Sequence, residues 1–119
     1  MTNYHHHTGT IGEKMAEKYL KEKGFTILHR NWRYTHWEVD IIAELNGKLH
    51  FVEVKTRTTM TFGFPEEDVS RKKIINLMNA GEEFLLQFPQ WKIIQFDIIS
   101  VMMTKGNQPE FLFIEDVYV

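Results

Sequence analysis

WEVDIIAELNGKLHFVEVKTR, residues 37–57, consists of two strand-like runs around one Asn46-Gly47 pair. Asn-Gly between two runs of this kind is the strongest short-range signal for a hairpin with a two-residue turn. The stretch therefore predicts two antiparallel strands, over 37–45 and 48–57, with the turn at Asn46 and Gly47.

A two-residue turn also fixes which side chains of the hairpin face each other. Counting back from the turn places Asp40 opposite Glu53. It places Glu38 opposite Lys55, and strand alternation puts all four side chains on one face of the sheet. The other face is the expected core side, and it carries Val39, Ile41, Ala43, His50, Val52 and Val54. Because opposed like charges destabilise a strand pair, the two facing acids need a compensating partner.

Several partners for this acidic pair stay open. A divalent cation such as Mg²⁺ or Mn²⁺ would suit the carboxylate oxygens. One carboxylate could instead hold a proton, or Lys55 could neutralise the pair. A solvated sheet face with an ordinary Glu38–Lys55 pair would also fit the pattern. Ile42 and Phe51 share that face, which favours the wall of a cleft over an open surface.

Periodicity and turn residues predict the remaining elements. They are a helix over 10–23, a strand over 25–34, a loop over 58–65, a helix over 69–88, and strands over 92–103 and 111–118. The order αβββαββ predicts a single α/β domain over 1–119, a sheet flanked by helices. Residues 1–8 are expected to form a disordered tail.

Composition narrows the classes of protein that fit. The 119 residues are 43% hydrophobic, enough for one modest core. The absence of cysteine excludes disulfides and thiolate zinc sites. No apolar run approaches the roughly 18 residues of a membrane span. The N-terminus lacks the features of a secretory signal. We therefore expect a cytoplasmic protein without a membrane partner.

The net charge of −2 does not by itself indicate a nucleic-acid-binding protein. Residues 1–73 contain 12 Lys and Arg against 10 Asp and Glu, whereas residues 74–119 contain 2 against 6. If some of the ten carboxylates in residues 1–73 hold a metal, the remaining surface of that segment is basic. Ordinary mixed, solvated charge is the alternative.

Two short segments of the hairpin resemble a known catalytic core. Residues 38–40 and 51–55, Glu-Val-Asp and Phe-Val-Glu-Val-Lys, resemble the D…(D/E)-x-K core of the restriction-endonuclease-like nuclease superfamily. Over roughly 9–101 the chain more closely resembles the YraN-like family of small uncharacterised bacterial proteins in that superfamily. Further matching residues are Gly12, Glu13, Ala16, Tyr19, Leu20, Gly24, Phe25, Arg30, Asn31, Gly63, Pro65, Val69, Lys73, Ala80, Phe84 and Leu85. Trp37 and Val39 depart from the usual glycine and proline, and neither change removes a ligand.

The resemblance implies a restriction-endonuclease-like core with a mixed sheet, and a metal-dependent endonuclease or exonuclease. Asp40 and Glu53 would ligate Mg²⁺ (or Mn²⁺) together with the Val54 carbonyl oxygen. Lys55 would orient or help deprotonate the attacking water. Glu38 would support the site through a water or by holding Lys55.

Two helical residues each have two interpretations. The resemblance places Glu13 among the catalytic carboxylates, whereas Thr10–Glu13 also matches a capping box. Lys73 would reach the active site or a phosphate, or would be a surface lysine whose alkyl chain covers apolar residues.

Positive charge is all that a phosphate contact requires. Three more cations are therefore expected along the nucleic-acid path: Arg57, Arg71 and Lys72.

Three functions remain open on the sequence. The first is a nuclease acting on DNA, in branched or single-stranded form, with a homodimer needed to cut two strands together. Trp32, Tyr34 and Trp37 could then stack on bases, although at least one is expected in the core. The second is a non-catalytic nucleic-acid-binding module of the same fold. The third is a protein-interaction domain that uses its acidic C-terminal part.

Overall fold

A computed structural model describes residues 4–58, 70–104 and 106–118, with side chains from residue 10 onward. The elements are α1 (Tyr4–Glu22), β1 (Thr26–Tyr34), β2 (Trp37–Leu45), β3 (Lys48–Arg57), α2 (Arg71–Gln87), β4 (Ile94–Met102) and β5 (Glu110–Ile114). This is the predicted order αβββαββ. The predicted loop over 58–65 lies outside the described residues from Thr59 onward. Neither described helix combines the length and the apolar character needed to span a bilayer.

The five strands form one mixed sheet in the order β1-β2-β3-β4-β5. β3 and β4 pair in parallel, and the other neighbours pair antiparallel. The parallel pair requires a crossover, which α2 provides. The mixed sheet flanked by helices is therefore confirmed.

The hairpin between β2 and β3 has the predicted two-residue turn. Asn46 and Gly47 both have positive φ, 53° and 83°, as a tight hairpin turn of this kind demands. The Gly47 N–H also donates to Glu44 Oε2 at 2.7 Å. Pairing runs from Leu45 with Lys48 to Ile41 with Val52, in the predicted register.

Both faces of the sheet are covered, which corrects the expectation of a single core side. On one face α1 packs Ala16 and Leu20 against Ile41, Ala43, Val52, Ile99 and Val101. On the other face α2 packs Leu77, Ala80 and Phe84 against Val39, Ile42, Leu49 and Phe51. A strand buried on both faces is apolar at successive positions, as in the central part of β2. Ile42 and Phe51 are thus core residues rather than cleft walls.

The first helix begins earlier than its apolar pattern indicates. α1 starts at Tyr4, so the predicted disordered tail over 1–8 is wrong from Tyr4 onward, and residues 1–3 lie outside the described part. Apolar periodicity marks only the portion of a helix that packs, which starts near Ile11 here. Thr10 lies inside the helix and not at its N-terminus, so the capping-box interpretation of Glu13 is wrong.

A buried polar cluster lies where β3 and β4 begin. Asp97 is fully buried, and its Oδ2 is 2.6 Å from His50 Nδ1. Its Oδ1 accepts from Gln95 Nε2 at 2.9 Å and from the Asp116 N–H at 3.0 Å. Lys48 Nζ donates to Gln95 Oε1 at 3.0 Å. These bonds hold the segment after β5 against the sheet, where the sequence predicts more strand; β5 ends at Ile114.

Candidate active site

A cleft of about 350 Å³ opens where β2 and β3 separate. Its lining includes four acids and one lysine drawn from both helices and from the central hairpin. The lining residues are Glu13, His36, Glu38, Asp40, Glu53, Val54, Lys73 and Asn76. Six of these eight are predicted site residues, although they are spread over the chain from α1 to α2.

The position of Asp40 depends on an irregularity in the sheet. The Ile41–Val52 pair is the last pair between β2 and β3 on the cleft side. Beyond it, the Val54 N–H donates to Asp40 Oδ2 at 2.8 Å. The predicted direct pairing of Asp40 with Glu53 is therefore wrong, because a side chain replaces the neighbouring strand as the partner of that N–H. On the other side of β2, Asn31 lies between the β1 residues that pair with Ile41 and Val39, and it has a left-handed φ of 52°.

The electrostatic environment of Asp40 disfavours its charged form. Desolvation in the cleft and, to a smaller extent, repulsion from the nearby Glu53 raise the pKa of Asp40 to about 8, although the hydrogen bond from Val54 opposes the shift. Glu13 and Glu38 add smaller repulsions that raise the pKa of Asp40 in the same direction. Four acids thus share one cleft with too little positive charge to hold all of them ionised.

Glu53 contacts the lysine of the cleft. Lys73 Nζ lies 3.8 Å from Glu53 Oε2. Desolvation raises the pKa of Glu53, whereas the Lys73 charge lowers it. Glu38 and Glu13 raise the pKa of Glu53, and Lys55 lowers it by a smaller effect. The pKa of Glu53 remains raised overall, so the charge of Lys73 does not offset the desolvation of Glu53 and its repulsion by the other acids.

A close helix–strand contact brings Glu13 to the cleft. A Cβ at Gly12 would lie 1.9 Å from the Thr56 hydroxyl oxygen and 3.0 Å from the Thr56 Cβ. Only glycine permits α1 to approach β3 so closely at that point. The next residue, Glu13, is thereby placed against Asp40 and Glu53.

Glu38 has a different partner from the predicted one. Its Oε2 lies 3.4 Å from Arg33 Nη2 on β1. The expected Glu38–Lys55 pair would need β2 and β3 to continue pairing past Ile41, and they do not. Glu38 still lines the cleft, so its predicted supporting place in the site is retained.

The predicted cations fall into four groups. Lys73 reaches the cleft, whereas Lys55 is half-buried and is not among its described lining residues. Arg71 and Lys72 are exposed in the first turn of α2, beside Lys73. Arg57 is only 9% exposed, which does not suit the predicted phosphate contact. It lies at the end of β3, where its backbone pairs with β4.

Two lining residues, His36 and Asn76, are absent from the predicted site. Asn76 lies three residues after Lys73, and this spacing places both on one face of α2. The helical period could therefore have identified Asn76 once Lys73 was selected. His36 is adjacent to the Glu38 element, but a lone histidine in a hairpin turn has no distinguishing pattern.

The donor set fits a hard divalent cation. Among the described residues, no group of three or more His, Cys, Asp or Glu side chains is arranged to hold a metal ion. Mg²⁺, however, needs only one or two carboxylates, because it retains several waters. Asp40 and Glu53 are two such carboxylates with raised pKa values, and a cation would favour their charged forms. Val54 adjoins both as a potential carbonyl ligand.

Sequence comparison places the chain among proteins of its own size. The model of an uncharacterised protein family, UPF0102, matches residues 12–101. A UPF0102 protein of Bacteroides thetaiotaomicron is 42% identical over 103 residues, which cover 87% of this chain and 85% of the relative. A UPF0102 protein of Syntrophomonas wolfei is 40% identical over 100 residues, which cover 83% and 87% respectively.

Two solved structures show a weaker similarity. The Holliday junction resolvase Hjc of Archaeoglobus fulgidus matches with a TM-score of 0.45 and 16% identity, over 87% of this chain and 75% of the resolvase. Pyrococcus furiosus SfsA, solved with Ca²⁺, matches with a TM-score of 0.42 and 16% identity, over 94% of this chain and 64% of SfsA.

Proposed function

We propose that this chain, which belongs to the uncharacterised protein family UPF0102, is a Mg²⁺- or Mn²⁺-dependent nuclease that hydrolyses phosphodiester bonds in DNA. The observation that carries the proposal is the cleft itself. Asp40 and Glu53 lie in it with raised pKa values, beside Glu13, Glu38 and Lys73. Burying acids together without sufficient positive charge is costly, and such sites are typical of metal and catalytic centres.

Asp40, Glu53 and the Val54 carbonyl would hold the cation. When bound, the cation would stabilise negative charge on the phosphodiester and lower the pKa of water in the cleft. The Val54 N–H fixes one carboxylate oxygen of Asp40, which orients the other. The carboxylates of Glu13 and Glu38 border the same space and would orient water there.

The lysine assignment differs from the one that the resemblance implies. Lys73 lines the cleft, and its amine lies 3.8 Å from Glu53, one of the proposed ligands. It would offset charge on the phosphate during attack, an electrostatic role that requires a fixed position. Lys55 influences Glu53 from outside the described lining, and we assign it a supporting role.

A path for the DNA backbone follows from the exposed cations. Arg71 and Lys72 are both exposed in the turn of α2 that carries Lys73, so the DNA backbone would contact this turn on its way to the cleft. Phosphate contacts position a nucleic acid without reading its sequence. Intracellular DNA is the expected substrate, and a homodimer is the expected form for cutting two strands together.

Cleavage of single-stranded, duplex and branched DNA with Mg²⁺ or Mn²⁺ tests the proposal. We expect Asp40→Asn and Lys73→Met each to slow cutting by about 100-fold or more, because the first removes a proposed ligand of the cation and the second removes a charge that would stabilise the phosphate during attack. Glu82→Gln, a change at an exposed acid of α2, is the matched control and should cut at the wild-type rate. Lys55→Met should have a smaller effect than Lys73→Met.

Two outcomes would contradict the proposal. Equal cutting by the wild type, Asp40→Asn and Glu53→Gln would exclude the cleft as the active site. A wild-type protein that binds DNA without cutting any substrate, with or without divalent ions, would favour the non-catalytic binding module instead.

A further inference from the structure

An aromatic surface at the tip of the β1–β2 hairpin adjoins the cleft through His36. His36, in the turn, lines the same cleft as Asp40 and Glu53. Its ring lies 5.1 Å from the ring of Trp37. Trp37 pairs across the hairpin with Tyr34, and these two rings are stacked, 6.2 Å apart at 25°. Three neighbouring rings therefore lie at the hairpin tip, and one of them, His36, reaches the cleft of the proposed metal ligands.

Stabilisation of the β1–β2 hairpin explains only two of the three aromatic rings. Cross-strand aromatic pairs stabilise hairpins, which explains Tyr34 and Trp37. Trp37 also packs against the apolar cluster under α2. His36 is exposed, and its described hydrogen bond is a long one, 3.4 Å, to the neighbouring Thr35 hydroxyl. Packing thus gives no reason for an aromatic ring at the cleft side of the turn.

Two cations lie near the cleft that His36 lines. The side chain of Arg33 is 66% exposed and contacts Glu38, a lining residue of the cleft. Lys73 lies at the α2 side of the cleft, next to Glu53. Aromatic rings with positive charges nearby are the combination that binds single-stranded nucleic acid, because bases stack on the rings while phosphates contact the cations. Bases within an intact duplex are already stacked on each other and are not available to these rings.

We propose that Tyr34, His36 and Trp37 form a stacking platform for an unpaired nucleotide beside the scissile bond, so that the substrate is DNA with a single-stranded segment. This inference rests on the proposed nuclease function and specifies its substrate class. Stacking on the platform would hold the strand across the cleft and present the adjacent phosphodiester to Asp40 and Glu53.

Binding measured in a non-cutting background separates the platform from catalysis. In Asp40→Asn protein without divalent ions, fluorescence anisotropy would compare a thymidine oligonucleotide with a blunt duplex of equal length. We expect Trp37→Leu and His36→Ala to weaken single-strand binding by about 10-fold, the scale of one lost base stack, with little change for the duplex. Trp37→Phe should retain most of the affinity. Trp91→Leu, at another half-buried tryptophan of the α2-side cluster, is the matched control and should leave the preference for single-stranded over duplex DNA unchanged.

The outcomes are distinct for the two proposals. Equal weakening on single strands and duplex, or no weakening by either hairpin variant, would overturn the platform. His36→Ala changes an exposed side chain, so its result does not depend on whether Trp37→Leu folds. Absence of cutting by the wild type would overturn the nuclease and would leave the binding preference intact.

Discussion

Asp40 and Asp97 are two acids of the same sheet with opposite surroundings. Asp97 is fully buried and has three described partners, through His50, Gln95 and the Asp116 N–H. Asp40 has one described hydrogen bond, from the Val54 N–H, and otherwise faces other carboxylates. The first acid completes a closed polar network, and the second sits in an open cleft.

The difference separates a structural acid from a functional one. A buried carboxylate whose oxygens are all engaged contributes to a single well-defined fold and needs no further ligand. A carboxylate that repels its neighbours is unfavourable in the folded protein until a cation or a proton arrives. The end of the sheet where β3 and β4 begin is therefore expected to determine stability, and the end where β2 and β3 separate to determine activity.

The largest expected effect on stability is at Asp97. Asp97→Ala removes the partner of the buried His50 and Gln95 side chains and of the partly buried Asp116 N–H. We expect the free energy of unfolding to fall by about 3–5 kcal/mol, because each buried polar group left without a partner costs about 1–3 kcal/mol. Urea denaturation at neutral pH with EDTA would measure it. The stabilisation that Mg²⁺ gives to any remaining folded protein should be unchanged. A change below about 1 kcal/mol would mean that the network is not structural, since each lost buried partner costs more than that.

The second prediction concerns the pH dependence of stability at Asp40. Its pKa is about 8 in the folded protein and near its ordinary value when unfolded. Between about pH 4 and pH 8 the folded state therefore holds a proton that the unfolded state has lost, and stability falls as the pH rises. Asp40→Asn removes this titration. In EDTA above about pH 8 the variant should be more stable than the wild type by about 1–2 kcal/mol, and the difference should vanish near pH 4.

Urea denaturation of both proteins across this pH range is the measurement. If the free energy of unfolding varied with pH in the same way for both proteins, Asp40 would ionise near its ordinary pKa in the folded state. Mg²⁺ or Mn²⁺ provides the companion test, because ions bind the ionised carboxylates and stabilise the fold that binds them. The thermal midpoint of the wild type should rise with added ion, and more so at high pH. Asp40→Asn should respond less at every pH.

The fold could be predicted from the sequence because its main signals are local. The bounds of β2 and β3 match the prediction at every residue, since an Asn-Gly turn fixes the register of the strands that it joins. The start of α1 was missed because residues before Ile11 carry no apolar stripe. The second core face was missed because a strand covered on both sides does not alternate.

The sequence could predict which residues line the candidate site, but not which of them contact each other. Strand spacing and the family resemblance identified Asp40, Glu53 and Lys73, which the structure brings together. The choice between Lys55 and Lys73 depends on how α2 crosses the sheet, which no local pattern encodes. The capture of the Val54 N–H by Asp40 is equally non-local, because it replaces a strand pair with a side chain.

The smallest expected effect tests how far the Asp97 network extends. Lys48 Nζ donates to Gln95 Oε1 at 3.0 Å in a partly buried position. Gln95 remains bound to Asp97 and Glu115 without it, so Lys48→Met should lower the free energy of unfolding by only about 0.5–1 kcal/mol. Lys55→Met, on the same strand at the cleft end, is the matched control; it removes a positive charge that acts on Glu53 and would repel a bound cation, so it should alter the stabilisation by Mg²⁺, which Lys48→Met should not. If Lys48→Met instead altered the response to Mg²⁺, the two ends of the sheet would be coupled, and the separation between a structural and a functional acid would fail.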